Sequence, residues 1–302
     1  MTNAKNTLIG QTILQNRLAD LITYCALYDT PFPHTLFVAP PGYGKTTFAR
    51  ELAKGIKAEF FEEFGPQITQ PEDVYNLFTK MHIVSNGRVV LFIDEIHALP
   101  RHVMELFYPI LDLGKLVCKD TVIYAQGITI LAGTTELHKV TKPFLDRINN
   151  QIMFEPYTEE DTKKLMQSVL PSMVYDPKVI GCIHKMCLGV PRKVKNLAQQ
   201  LMYFTALRGI TKVTYKHFSE FLLYIGFDLL GLDALERQYL YALLDLCPSV
   251  GDGVSLQTIS SAIALNAEMV AQTVEPKLLA LALIKITAKG RELTEQGRKH
   301  AA

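Results

Sequence analysis

Apolar and polar positions change their period along this chain. Up to Phe154, short apolar runs alternate with longer stretches whose apolar residues recur every three or four positions. Leu36-Phe37-Val38, Arg88 to Ile93, Ile128 to Ala132 and Gln151-Ile152-Met153-Phe154 predict strands buried on both faces. Glu59-Phe60-Phe61-Glu62-Glu63 predicts another strand, ended by Gly65-Pro66. Thr46 to Gly55 predicts a helix. So does Asp73 to Met81, with Val74, Leu77, Phe78 and Met81 on one face. Strands alternating with helices predict a mostly parallel sheet flanked by helices, an α/β class. Between two of the strands, Leu116 to Tyr124 places two β-prone arms around Lys119-Asp120. A projecting hairpin is the expected form and an irregular loop the alternative.

From Thr158 to Leu223 the pattern becomes helical, opening on Thr158-Glu159-Glu160-Asp161, a capping residue with acids in the first turn. Gly226 to Gly231 predicts a short link. Beyond it, helices are expected over Asp233–Leu246, Ser255–Ile263 and Asn266–Leu281, the last bent or broken near Pro276. Leu283 to Thr294 predicts two β segments around Lys289-Gly290-Arg291. Three helices and a hairpin predict a winged helix. The expected domains are 1–155, a large sheet domain; 156–228, a small helical domain; and 229–302, the winged helix.

Bulk properties exclude more than they identify. The 302 residues are 48% hydrophobic and carry a formal charge of +1, so any nucleic-acid contact must come from local patches. An odd count of cysteines, five, implies reduced thiols in a cytoplasmic compartment. Cys182 to Cys187 lacks zinc-knuckle spacing and a second ligand pair, which favours a buried helix over a metal site. Met1 to Lys5 precedes no apolar signal core, and no stretch has the length to span a bilayer. A soluble chain with no membrane partner is expected.

The chemistry concentrates where strands end. Ala39-Pro40-Pro41-Gly42-Tyr43-Gly44-Lys45-Thr46-Thr47 lies between a predicted strand and a predicted helix. Glycines let successive N–H groups converge on phosphate oxygens, and a helix N-terminus adds positive potential. Lys45 is expected to reach the β- and γ-phosphates and Thr46 to offer its hydroxyl to Mg²⁺. Asp94-Glu95 ends a second strand about fifty residues on. Asp94 there suits Mg²⁺, and Glu95 suits polarisation of an attacking water. The two motifs together predict ATP and Mg²⁺ as cofactors of a hydrolase.

With Asp94-Glu95-Ile96-His97 the chain resembles the AAA+ ATPases, and more narrowly the RuvB family of Holliday-junction branch-migration motors. The similar stretches run nearly end to end. Ile9-Gly10-Gln11 resembles the segment that packs on adenine. Gly65-Pro66-Gln67-Ile68 through Pro71-Glu72-Asp73 resembles a family-specific connector, and Glu105 to Pro109 the helix after the acidic motif. Gly189-Val190-Pro191-Arg192 resembles the second sensor, and Leu230 to Asp233 the opening of the last domain. The resemblance implies an AAA+ P-loop parallel-sheet domain, a helical lid and a C-terminal winged helix. It implies nucleotide contacts from Ile9 to Gln11, from Pro41 through Thr47, and from Asp94. It also implies a first sensor at Thr135, a second at Arg192, and an arginine finger at Arg147 that completes a neighbour's site. Lys45, Glu95 and Arg147 are the implied catalytic groups, with Thr46 and Asp94 holding the metal. Lys289, Gly290 and Arg291 are implied to meet DNA at the wing tip. The implied assembly is a hexameric ring on duplex or junction DNA. The rivals are a clamp-loader or helicase-loader relative, and a nucleotide-gated scaffold whose winged helix binds protein. His97 is open between a relay and a satisfied helix histidine.

The chain departs from the family pattern in four places. Ala39 replaces the first glycine of the phosphate loop. The projecting hairpin looks shorter than the one that engages RuvA in the family, which puts a RuvA-like adaptor in question. Glu136 follows Thr135 where arginine is common, and Asn149-Asn150 replaces a phenylalanine-glycine-like exit after the finger.

Overall fold

The computed structural model describes residues 8–301, apart from 85–86, 119–120, 149, 248–250 and 252. Contacts divide the chain into two compact units, Met1–Tyr157 and Thr158–Ala302.

The first unit is built on a parallel sheet. Helix α1 (Thr12–Tyr28) precedes strand β1 (Thr35–Val38), which leads through the phosphate loop into α2 (Lys45–Gly55). Strand β2 (Glu59–Phe64), α3 (Pro71–Val84) and β3 (Val89–Asp94) follow. Two short helices, α4 (Arg101–Met104) and α5 (Tyr108–Leu113), lead to a hairpin of β4 (Lys115–Cys118) and β5 (Thr121–Tyr124). Then come β6 (Ile128–Thr134), α6 (Lys142–Leu145) and β7 (Asn150–Met153). The sheet order is β2-β3-β6-β1-β7, with every pairing parallel.

The apolar runs occupy the sheet centre for a physical reason. A strand covered by helices on both faces has no solvent side, so it carries no alternation. Val89 to Ile93 are all buried, as are Thr129 to Thr134. Edge strand β2 exposes Glu59 and Glu62 and half-buries Phe60 and Phe61. Leu36, Leu91, Ile93 and Ala132 join Val74, Phe78, Phe107 and Phe144 in one core.

The hairpin reading holds, with Leu116 opposite Ile123 and Val117 opposite Val122. The Lys119-Asp120 turn lies outside the described residues. Leu116 is buried, whereas Leu113, Val117, Val122 and Tyr124 are exposed. Helix α1 is an addition to the sequence reading. Arg17 Nη2 donates to Asn150 Oδ1 (2.9 Å), and Asn150 Nδ2 donates to Thr35 Oγ1 (2.8 Å). That is the structural use of Asn150 in the altered exit. Asn149 lies outside the described residues.

The second unit starts with α7 (Glu159–Val169), capped by Thr158 and Asp161 in a reciprocal capping box. Strand β8 (Val174–Tyr175), α8 (Pro177–Cys187), α9 (Pro191–Ala206), β9 (Lys212–Val213) and α10 (Tyr215–Tyr224) complete its helical part. Cys182 and Cys187 both lie on α8, and burial pushes the Cys187 thiol up to about 12.

The remainder is an array of helices and one hairpin: α11 (Ala234–Leu246), α12 (Leu256–Ala262), α13 (Ala267–Thr273), α14 (Glu275–Ala280), β10 (Ile284–Thr287), β11 (Gly290–Leu293) and α15 (Glu295–Ala301). The predicted break at Pro276 falls between α13 and α14, with proline in the first turn of α14. Helix α15 was not legible beforehand. The segment before α11 is more than a loose link. Asp228 Oδ1 accepts N–H groups from Leu230 and Leu232, and its Oδ2 lies 2.8 Å from His300 Nε2. Lys277 Nζ donates to Gly231 O and Glu236 Oε2, all within the same unit.

Candidate functional site

Three strand ends meet at one place. Strand β1 runs into Ala39, whose N–H donates to Thr134 O on β6 (3.1 Å). Gly42 and Gly44 have φ of 82° and 93°, which other residues adopt only with strain. Gly44 caps α2 without any side-chain hydrogen bond, so the first-turn N–H groups remain for a ligand. Such a helix start attracts anions. Tyr157 closes this loop from above. Its hydroxyl donates to Tyr43 O (3.2 Å), and its ring meets the Tyr43 ring edge-on.

Lys45 is buried, and its Nζ donates to Ala39 O (3.1 Å) and lies 3.9 Å from Glu95 Oε1. Asp94, at the end of β3, accepts the Glu95 N–H at Oδ1 (3.1 Å). Gly133 makes room for both groups. A Cβ there would lie 2.7 Å from Asp94 Oδ1 and 3.3 Å from Lys45 Cε. Gly65 does the same from the connector, since its Cβ would meet Glu95 O at 2.4 Å. A glycine inside an apolar strand run marks close backbone approach, and that signal was available at Gly133.

Glu95 itself sits in left-handed backbone at φ 53° and ψ 50°. A non-glycine residue held there is strained, and such strain clusters at working sites. Thr135 Oγ1 donates to Glu95 Oε2 (2.9 Å). His97 Nδ1 lies 3.3 Å from the same oxygen. Thr46 is half-buried on the first turn of α2. A hydroxyl and a carboxylate are the hard oxygen donors that suit Mg²⁺. Among the described residues no group of three or more His, Cys, Asp or Glu side chains could hold a metal by itself.

The chain bends at Gly10, and Gln11 lies beside Glu155, just past the end of β7. Gln11 pairs its side-chain amide with the Glu155 backbone, accepting N–H at 2.9 Å and donating to Glu155 O. Gln15 Nε2 donates to Gly10 O (2.6 Å). Pro41 and Thr47 are exposed at the loop.

Arg147 lies at a different part of the first unit. Its Nε donates to Asp112 Oδ2 (2.8 Å) and its Nη1 to Pro143 O (2.7 Å). The guanidinium also lies over the Tyr108 ring, 4.7 Å from its centroid. Among the described residues nothing engages Nη2. Arg192, on the second unit, is exposed in the first turn of α9. Asp112 was not singled out in the sequence, because nothing local marks a residue that orients another 35 positions on.

At the wing, the three residues expected to meet DNA differ in their surroundings. Lys289 is exposed, with Nζ donating to Gly251 O (3.2 Å). Gly290 has φ 125° and lies so close to Val254 that a Cβ would come 2.3 Å from its carbonyl oxygen. Val254 pairs with Arg291 in an isolated antiparallel bridge. Arg291 is half-buried and pairs with a carboxylate of its own unit. Its Nε and Nη2 donate to the two oxygens of buried Glu275 (2.8 and 3.2 Å), which also accepts from Tyr239 (2.7 Å). The Glu275 hydrogen bond heads the causes that hold the guanidinium above its usual range.

Comparison with known proteins agrees with this picture. Residues 2–153 match a family described as the Holliday junction DNA helicase RuvB P-loop domain, and residues 229–302 match the RuvB C-terminal winged helix domain. A protein of Paracoccus denitrificans named Holliday junction branch migration complex subunit RuvB is 29% identical over 97% of this chain and 87% of its own length. The protein of that name from Ehrlichia chaffeensis is also 29% identical, over 99% and 92%. Among solved structures, the Thermotoga maritima RuvB Holliday junction branch migration motor superposes with a TM-score of 0.78. It is 23% identical and covers 97% of this chain and 94% of its own.

Proposed function

The chain belongs to the RuvB family, and from that premise we propose that it is an ATP-driven ring motor that moves duplex or junction DNA. It is an AAA+ protein with ATP hydrolase activity. The observation that carries the site assignment is the convergence of Lys45, Asp94, Glu95 and Thr135 at the ends of β1, β3 and β6. Ligands of open α/β sheets bind outside the carboxyl ends of the strands.

Each residue has a proposed task. The loop from Pro41 to Thr47 cradles the phosphates, and Ile9 to Gln11 packs on the adenine. Lys45 neutralises charge on the β- and γ-phosphates. Thr46 and Asp94 would hold Mg²⁺, which when bound neutralises developing phosphate charge. Glu95 takes up a proton from the attacking water. Thr135 orients Glu95 and would make a polar contact near the γ-phosphate. Arg192 senses phosphate from the lid, residues 156–228. Arg147 is offered to the next subunit, with Nε and Nη1 anchored and Nη2 ready. A finger delivered in trans makes turnover depend on assembly.

The relatives are named as branch-migration subunits, which supports DNA as the partner of the winged helix, residues 229–302. At the wing tip the proposed contacts are Lys289 and the Gly290 backbone. Arg291 is assigned to the interior. A hexamer is the proposed assembly. The exposed apolar residues of the hairpin support docking of a RuvA-like adaptor. Among the described residues no helix is long and apolar enough to cross a membrane. The cytoplasm is the proposed location.

Turnover measured with duplex, single-stranded and four-way junction DNA, with mass measurement of the nucleotide-bound complex, tests the reading. Lys45→Ala is expected to abolish turnover. Glu95→Gln is expected to retain nucleotide and lose hydrolysis. Hydrolysis by Glu95→Gln at the parent rate would remove the base assignment.

A further inference from the structure

The glycines of the phosphate loop give it freedom as well as shape. Gly44 has φ 93°, a region that glycine enters and leaves without a side-chain penalty. The peptide joining Tyr43 to Gly44 can therefore turn over, exchanging the sides on which its carbonyl and its N–H lie. The next carbonyl along is secured by the helix, since the Phe48 N–H donates to Gly44 O (3.0 Å). No helical bond secures the Tyr43 carbonyl. Tyr157 does so: its hydroxyl donates to Tyr43 O (3.2 Å), and among the described residues no other donor reaches that oxygen.

Packing holds Tyr157 in place for this task. Both tyrosines are buried, and their rings meet at 81° with centroids 6.0 Å apart. A Cβ on Gly44 would lie 3.8 Å from the Tyr157 hydroxyl, an ordinary contact distance, so the hydroxyl closes one side of the loop. A trans peptide is planar, with its C=O and N–H on opposite sides. Holding the Tyr43 carbonyl on the Tyr157 side therefore sends the Gly44 N–H to the other side. Among the described residues that N–H has no acceptor.

We propose that Tyr157 is a positioning residue for the phosphate loop: by holding the Tyr43 carbonyl it keeps the Gly44 N–H aimed at a phosphate oxygen of the nucleotide. This rests on the reading of the loop as a phosphate cradle. With the tether in place the donor is set before the nucleotide arrives, so binding does not have to supply the cost of turning the peptide. Without the tether the loop divides its time between two peptide orientations, and apparent affinity falls with the competent fraction. The effect belongs to the phosphates and not to the base, because the Gly44 N–H serves phosphate alone.

The test is binding to the full-length parent and to Tyr157→Phe, with adenosine, ADP and inorganic pyrophosphate each competing against a fluorescent nucleotide. Tyr157→Phe keeps the ring and loses the hydroxyl. One neutral hydrogen bond shifts such a balance by about two- to twelvefold. At 3.2 Å the bond is long for two oxygens, which places the expected loss near the low end, about threefold. ADP and pyrophosphate should weaken by that factor, while adenosine binds as it does to the parent. KM for ATP should rise while kcat falls by less, whereas a general loss of folded structure lowers kcat and weakens adenosine too. Equal weakening of adenosine and ADP would place Tyr157 against the base or in general support of the fold, and would overturn the proposal. Parent-like ADP affinity in Tyr157→Phe, with ADP binding lost in Lys45→Ala, would overturn it as well. Parent-like ADP binding by Lys45→Ala would overturn the cradle reading instead.

Discussion

Replacing Arg291 with alanine separates a strut from a DNA contact. The guanidinium makes a two-pronged pair with Glu275, whose side chain is 3% exposed. After the substitution, among the described residues, the carboxylate keeps the Tyr239 hydroxyl and loses its paired cation. Removing one partner of a buried pair costs about 3–5 kcal/mol, because the remaining charge stays desolvated. A fifth of the Arg291 side chain reaches solvent, so water can enter the vacated edge. That places the expected loss at the low end, about 3 kcal/mol. The assay is hydrogen exchange on the full-length chain, read on peptides from α11, α14 and the β10–β11 hairpin. A tenfold change corresponds to about 1.4 kcal/mol, so protection there should fall about 150-fold while the first unit is unchanged. The double variant Arg291→Met with Glu275→Gln should recover a large part, since it leaves no unpaired charge. Unaltered protection in Arg291→Ala, together with weaker and less salt-dependent DNA binding, would refute the reasoning and return the residue to the DNA face.

Other expectations concern the ring and the pocket. Subunits carrying Arg147→Ala, mixed with subunits carrying Glu95→Gln, should regain part of the activity that each lacks alone, because one supplies the finger and the other the base. An absence of rescue at every mixing ratio would count against a shared site. Gly133→Ala forces a Cβ to within 2.7 Å of Asp94 Oδ1, an overpacking that costs about 1–3 kcal/mol. Titration with a fluorescent nucleotide should show weakened binding, and parent-like affinity would mean that Asp94 relaxes freely. Lys289→Ala should lower the slope of log affinity against log salt by about one. An unchanged slope would take the wing tip out of the DNA interface.

Much of the site was legible because it is local. A strand, a glycine-bearing loop and a helix start follow one another within about a dozen residues, so Lys45 and Thr46 are placed by chain connectivity alone. The acidic pair is similar: an unbroken apolar run must be a buried strand, and its last residues must emerge at the strand end. Arg291 shows where local reading stops. A cation in a Lys-Gly-Arg turn looks solvated, yet in the fold it pairs with Glu275, sixteen positions away. Glu136 stood out only as a departure from a pattern, and its partner His97 was open between two roles. Only the fold brings the two to 3.3 Å.

The amino-acid order by itself determined the strand and helix periods, the phosphate loop, the acidic strand end and the winged-helix pattern. These depend on backbone preference and on which side chains shun water, and both act over a few neighbouring residues. Tertiary structure alone decided the β2-β3-β6-β1-β7 order, the need for Gly65 and Gly133, the pairing of Arg291 with Glu275, and the approach of His97 to Glu95 and Glu136. Those depend on hydrogen bonds and steric limits between groups far apart along the backbone, which exist only once the sheet has brought its strand ends together.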